Sequence, residues 1–215
     1  MSNTKTCILL CGGASRRMGK DKGSLIINGK AMINHTLDVL DGNINELVIV
    51  LNDEKRIAKY QEIIDIKKYS YSIKFITDEI KNKGPLSGIM TGLKKIENDY
   101  ALILPCDSPF ISKKFLNFIF NKLNNFNKDA LIIYHPLNDT DNLNIKINNS
   151  EPLHSIYSKN NYKLIEELIK KDALDVKSLI KKIECEFVKI DNKNILKKDI
   201  KNLNNLEDLK LLDIS

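Results

Sequence analysis

The chain has 215 residues, 42% of them apolar and 29% charged, and its 34 Lys and Arg against 28 Asp and Glu leave a formal net charge of +6. That length suits one α/β domain with a sizeable core, and no apolar stretch approaches the ~20 residues of a membrane helix. The N-terminus lacks a signal-peptide pattern and the lysines alternate with Asp, Glu and Asn, so the expectation is a cytoplasmic protein that binds neither membrane nor nucleic acid but attracts small anions such as a nucleoside triphosphate.

The first apolar run, Thr6 to Leu10, reads as a buried strand because glycines end it. It delivers the chain into Leu10-Cys11-Gly12-Gly13-Ala14-Ser15-Arg16-Arg17-Met18-Gly19-Lys20-Asp21-Lys22. Gly12, Gly13 and Gly19 allow close backbone approach, and successive N–H groups in such a turn suit phosphate oxygens. Arg16, Arg17, Lys20 and Lys22 add four cations. Two of the three arginines in the chain stand here, and a guanidinium grips phosphate bidentately where a lysine cannot. Five residues separate Gly13 from Gly19, and Asp21 follows Lys20, which excludes both the dinucleotide fingerprint and the P-loop. The stretch reads as a polyphosphate cradle of a third kind.

A helical stripe at Ile33, Leu37 and Leu40 predicts a helix over Met32 to Leu40, followed by a strand over Glu46 to Leu51 that ends in Asn52 and Asp53. Ile57, Tyr60 and Ile64 mark another helix, and Lys74 to Thr77 a strand ending at Asp78. Ligands of open α/β sheets collect outside the carboxyl ends of strands, so Asn52 and Asp78 are candidates to read a base or ribose. Beyond the polar loop Glu79 to Lys83, Gly84-Pro85 opens a helix that carries Leu86, Ile89, Met90, Leu93 and Ile96.

The strand Tyr100 to Leu104 leads into Pro105-Cys106-Asp107-Ser108-Pro109, where an Asp at a strand's carboxyl end suits magnesium. Ser112 caps a helix over Phe115 to Leu123, and Ala130 to Tyr134 is a further strand. Asn138 to Ser150, rich in Asn and Asp with weak alternation at Leu143, Ile145 and Ile147, reads as an irregular excursion with a short strand. Tyr162, Ile165, Leu168 and Ile169 mark a helix, Val176, Leu179 and Ile180 a shorter one, Glu186 to Ile190 a last strand, and Leu206 to Leu212 a closing helix capped by Asn204 or Asn205. The alternation predicts an α/β, doubly wound, mostly parallel Rossmann-like sheet with helices on both faces, in one domain over 1–215. The four scattered cysteines read as reduced thiols and the three histidines lack zinc spacing.

Cations, backbone donors and one metal carboxylate, without a nucleophile-and-base pair, suit transfer of a nucleoside monophosphate from its triphosphate to an already ionised phosphate on a small acceptor. Lys22 and Arg17 meet charge at the α phosphorus and Asp107 positions Mg2+. The residues by themselves leave open GTP or CTP, a pterin, sugar or corrinoid acceptor, and a regulatory module that binds nucleotide without turnover.

The first motif through Leu25, then Gly84-Pro85-Leu86-Ser87-Gly88-Ile89, Pro105-Cys106-Asp107-Ser108-Pro109-Phe110 and Glu151-Pro152-Leu153, with Asn202 to Leu209 near the end, resemble the molybdenum cofactor guanylyltransferases, MobA-like nucleotidyltransferases. Cys11 stands where that family usually has Ala, and its terminal Thr-Pro pair is lost. The resemblance implies transfer of GMP from GTP to the terminal phosphate of molybdenum-molybdopterin, with Mg2+ and release of pyrophosphate. It implies nucleotide contacts at Leu10, Cys11, Gly12, Gly13, Lys22, Asn52, Asp78, Gly84, Pro85, Leu86 and Asp107, catalytic roles for Arg17, Lys22 and Asp107, and Asn204 facing the acceptor or metal. A nucleotide-binding part over about 1–110, an acceptor-binding part over about 111–215, and a monomer or weak homo-oligomer are expected.

Overall fold

The apolar runs of the sequence become the strands of one sheet. A computed structural model describes residues 4–12, 21–81, 83–136, 142–190, 195, 197–201 and 203. In chain order the strands are β1 (Thr6–Leu10), the short pair β2 (Ile26–Ile27) and β3 (Lys30–Ala31), β4 (Glu46–Leu51), β5 (Ser72–Thr77), β6 (Tyr100–Pro105), β7 (Ala130–Tyr134), β8 (Ile156–Ser158) and β9 (Cys185–Lys189). The helices are α1 (Met32–Leu40), α2 (Glu54–Ile63), α3 (Gly84–Lys95), α4 (Lys113–Asn121), α5 (Leu143–Asn148), α6 (Asn161–Lys170) and α7 (Val176–Ile180).

Seven strands form the main sheet in the order β5-β4-β1-β6-β8-β7-β9, while β2 and β3 pair antiparallel beside it. The pairs β1 with β4, β1 with β6, β4 with β5 and β7 with β9 are parallel, and β8 alone runs against its neighbours. The expected α/β, mostly parallel sheet is the observed one. Every residue of β1 is buried: Cys7 and Leu9 meet the core under α1, α2 and α4, whereas Ile8 and Leu10 meet the core under α3, α6 and α7. A strand covered on both faces needs no polar alternation, which is why it reads as a plain apolar run. No helix among the described residues is long and apolar enough to cross a membrane.

Helix α3 lies close on β1 because it presents glycines there. A Cβ on Gly92 would stand 2.6 Å from Cγ2 of the buried Ile8, and one on Gly88 3.1 Å from Cδ2 of Leu10. Gly92→Val is therefore expected to cost about 3 kcal/mol, the upper end for overpacking a closed core, and Gly88→Ala less. Urea unfolding of the two variants checks this; equal midpoints for Gly92→Val and wild type would refute it.

One local expectation is corrected. Residues 143–148 form the helix α5, not a short strand in an irregular run. The Asn142 side chain caps it, accepting from the N–H groups of Asn144 and Ile145, and the apparent alternation misleads because Leu143 and Ile145 are 56% and 38% exposed while Ile147 is buried. The three-residue β8 and the β2–β3 pair are too short for periodicity to reveal; cross-strand bonds create them. The segment 206–212, expected as a closing helix, lies outside the described residues.

Candidate active site

Strands β1, β4, β5 and β6 run parallel, so their carboxyl ends share one rim. The chain moves outward from β1 to β4 and β5, then returns to the other side of β1 as β6. The connections after β1 and β6 therefore leave on opposite sides of one gap, the point where such sheets open a ligand crevice. Across it the Lys22 ammonium stands 2.8 Å from Oδ2 of Asp107, the two side chains 21% and 18% exposed. The same ammonium donates to the carbonyl of Leu203 at 3.1 Å, and the Leu203 N–H donates to the carbonyl of Asp107 at 2.7 Å. Three segments distant in sequence thus converge on two side chains.

Lys22 is aimed by what lies beneath it. Asp21 accepts a hydrogen bond from the Tyr60 hydroxyl at 2.8 Å and faces the Lys59 ammonium at 3.6 Å. Burial, with Cys11, Cys106 and Asp21 nearby, pushes the Tyr60 pKa up, so the phenol stays a donor. Gly23 is buried against that hydroxyl, where a Cβ would collide with it. The short 3-10 turn Lys22–Ser24 is thereby fastened to α2, and the Lys22 ammonium is held at the rim against Asp107.

The other side of β1 carries the start of the glycine turn. Cys11 donates to the Val50 carbonyl at 2.8 Å, and the Gly12 backbone runs so close to Asn52 that a Cβ there would overlap the carboxamide oxygen. Asn52 is half-buried at the end of β4, beside Gly12, so these two predicted contacts share one spot. Arg56 adds a cation: its Nη1 donates to the Cys11 carbonyl at 3.0 Å, and its N–H caps on Asp53 at 2.9 Å.

Asp78 fastens the next corner. Its Oδ1 accepts from the Ser87 hydroxyl at 2.5 Å, the Thr91 hydroxyl at 3.0 Å and the Ile80 N–H at 3.3 Å, while none of the described bonds uses Oδ2. Gly84 takes φ +70, a conformation that suits glycine, and Pro85 sits in the first turn of α3, where its missing N–H costs nothing. The Leu86 side chain is wholly buried in the core, so what it offers a ligand is its N–H in that open first turn. Leu10 and Cys11 are buried likewise, and their backbone is engaged within the protein: the Cys11 N–H with Val50, its carbonyl with Arg56, and the Leu10 carbonyl with the Cys106 N–H.

Gly13, Arg16, Arg17, Gly19 and Lys20 of the first motif, and Asn204 of the last, lie outside the described residues. Sequence reasoning passed over Tyr60, Arg56, Leu203 and the contact between Ser108 and His154. The rarity of arginine was a signal for Arg56; nothing local marks Tyr60. Ser108 and His154 stand 3.0 Å apart, a nucleophile-and-base spacing, but they are 0% and 1% exposed and no substrate reaches them. Among the described residues no group of three or more His, Cys, Asp or Glu could hold a metal, and the four cysteines are free thiols.

A rim that gathers cations, backbone donors and the Asp107 carboxylate, with no accessible nucleophile-and-base pair among the described residues, suits the alignment of phosphates. Residues 7–186 match the MobA-like NTP transferase domain. A probable molybdenum cofactor guanylyltransferase of Methanothermobacter thermautotrophicus is 33% identical over 98% of this chain and 100% of its own length. One of Methanocaldococcus jannaschii is 27% identical over 94% of this chain and 95% of its own. The solved molybdopterin-guanine dinucleotide biosynthesis protein A of Archaeoglobus fulgidus shares the fold, with a TM-score of 0.73 at 23% identity over 96% of this chain and 95% of that one. The chain belongs to the MobA-like NTP transferase family and is a nucleotidyltransferase.

Proposed function

We propose that this protein transfers GMP from GTP to the terminal phosphate of molybdenum-molybdopterin, forming molybdopterin guanine dinucleotide and releasing pyrophosphate. The observation that carries the reading is the Lys22–Asp107 pair across the β1–β6 gap. The names of the relatives supply guanine and the pterin. We further propose that it acts as a cytoplasmic monomer or weak homo-oligomer without nucleic acid or membrane.

In this reading Gly12, with Gly13 beyond it, and the first-turn N–H groups of Gly84 and Leu86 hold phosphate oxygens, and Asn52 and Asp78 contact the base or ribose. Lys22 and Arg17 face the charge at the α phosphorus. Asp107 holds the divalent ion, which we take to be Mg2+. A carboxylate that already faces an ammonium at 2.8 Å fits a cation, and one carboxylate is what magnesium asks of a protein when phosphates and water complete its shell. The ion supplies charge neutralisation on the phosphates. The acceptor phosphate attacks unaided, since it is ionised at neutral pH. Leu203, a residue of the terminal motif, is hydrogen-bonded to Asp107, which supports an acceptor-facing role for residues after about 110 and for Asn204.

Pyrophosphate release measured with each of the four nucleoside triphosphates, with and without metal-loaded molybdopterin, tests the reading. GTP with acceptor is expected to be the productive pair. Productive CTP would replace guanine by cytosine, and nucleotide binding without pyrophosphate in any pairing would defeat the enzymatic reading.

A further inference from the structure

The turn Glu151-Pro152-Leu153-His154 is held with unusual thoroughness for a connection. Glu151 N–H donates to the Ile133 carbonyl at 2.9 Å, the Glu151 carbonyl accepts from His154 N–H at 3.0 Å and from the Ser155 hydroxyl at 2.8 Å, and the Pro152 carbonyl accepts from the Tyr157 hydroxyl at 3.0 Å. What this scaffold delivers is one imidazole into the interior below the Asp107 connection, edge-on to the Phe115 ring with centroids 6.5 Å apart. Its Nε2 lies 3.0 Å from the hydroxyl of Ser108, the residue after Asp107, and its Nδ1 has no partner.

Burial drives the His154 pKa down to about 3, so the ring is neutral and carries one N–H. A buried N–H without an acceptor is the rarer and costlier defect, so the proton belongs on Nε2 and the empty lone pair on Nδ1. The imidazole therefore donates to Ser108 Oγ. Ser108 is also gripped through its carbonyl, which accepts from the buried Thr36 hydroxyl at 3.3 Å. Two interior donors, the His154 ring and the Thr36 hydroxyl, thus hold the residue that follows the carboxylate.

We propose that His154 is a positioning residue for the metal site: by donating to Ser108 it holds the Pro105–Pro109 connection in the conformation that presents the Asp107 carboxylate to the rim. The imidazole touches neither substrate nor ion. This inference rests on the assignment of Asp107 as the metal ligand.

The test is Mn2+ binding in the presence of GTP, followed by the paramagnetic resonance of free Mn2+, for wild type, His154→Phe, His154→Gln and Ser108→Ala. Phe keeps the ring volume without the donor, while Gln restores an N–H near the place of Nε2. His154→Phe and Ser108→Ala are expected to weaken Mn2+ by about 10-fold, the lower end for losing a group that orients a metal ligand, with His154→Gln close to wild type. Equal weakening in the Phe and Gln variants would mean packing alone and overturn the proposal, as would unchanged affinity in Ser108→Ala, which settles the matter even if His154→Phe does not fold. Wild type that binds no Mn2+ would instead overturn Asp107 as ligand and this inference with it; wild-type binding with unaltered variants removes only the role of His154.

Discussion

Asp107→Ala is expected to lower pyrophosphate release at saturating GTP by ~10²-fold or more, the scale of losing one charge-stabilising group from a preorganised site. The side chain stands at the end of β6 and is 18% exposed, while its backbone carbonyl carries the separate bond to Leu203. Truncation therefore removes the carboxylate and leaves the bond between the Asp107 carbonyl and the Leu203 N–H. Circular dichroism should show an unchanged fold, and the Lys22 ammonium, partly in water, keeps the Leu203 carbonyl as a partner. The metal concentration for half-maximal rate should rise steeply at the same time. Near-normal turnover with ordinary metal dependence would remove Asp107 from the mechanism.

Lys22→Ala should produce a loss of similar size with the opposite effect on the metal. Without the ammonium 2.8 Å away, the Asp107 carboxylate has lost the cation that competes for it, so the divalent ion should bind as well as in wild type or better while turnover falls ~10²-fold. Lys22→Arg should not restore the rate, because a planar fork on a different stem cannot replace a point charge aimed by the 3-10 turn at Gly23. The two alanine variants thus separate a metal ligand from a phosphate contact by a single titration of metal at fixed GTP. If both shifted the metal requirement in the same direction, one of the two assignments would have to be abandoned.

The ion pair also fixes the geometry of the rim. Lys22 and Asp107 neutralise one another across the gap and pin the Leu203 backbone, so two charges already sit where the nucleotide and its ion are proposed to go. Ligand binding then exchanges partners between charges already in place, which is the economy of a preorganised site.

The elements legible in the sequence were those whose burial leaves a long one-dimensional trace. Glu46–Leu51 and Ala130–Tyr134 lie buried on both sheet faces and read as uninterrupted apolar runs; α1, α3 and α6 show their stripes; the Ser112 cap accepts from Phe115 as its position implied. The motif order further marked the nucleotidyltransferase class. Segments whose structure comes from distant partners left no such trace. Strand β8 exists because its three residues bridge β6 and β7, α5 is seated because Ile147 finds the core beside α7, and Tyr60 matters only because α2 brings it under Asp21.

What the order of residues determined alone was the alternation of strands and helices and the chemistry each strand end offers, since periodicity and turn composition are local properties. Which ends face one another is not local. Lys22 and Asp107 are 85 positions apart, Lys22 and Leu203 181 apart, and Ser108 and His154 46 apart. The reversal of strand order at β1, which sets β6 against β1 on the side away from β4, brings Lys22 to Asp107; the antiparallel return of β8 beside β6 brings His154 to Ser108.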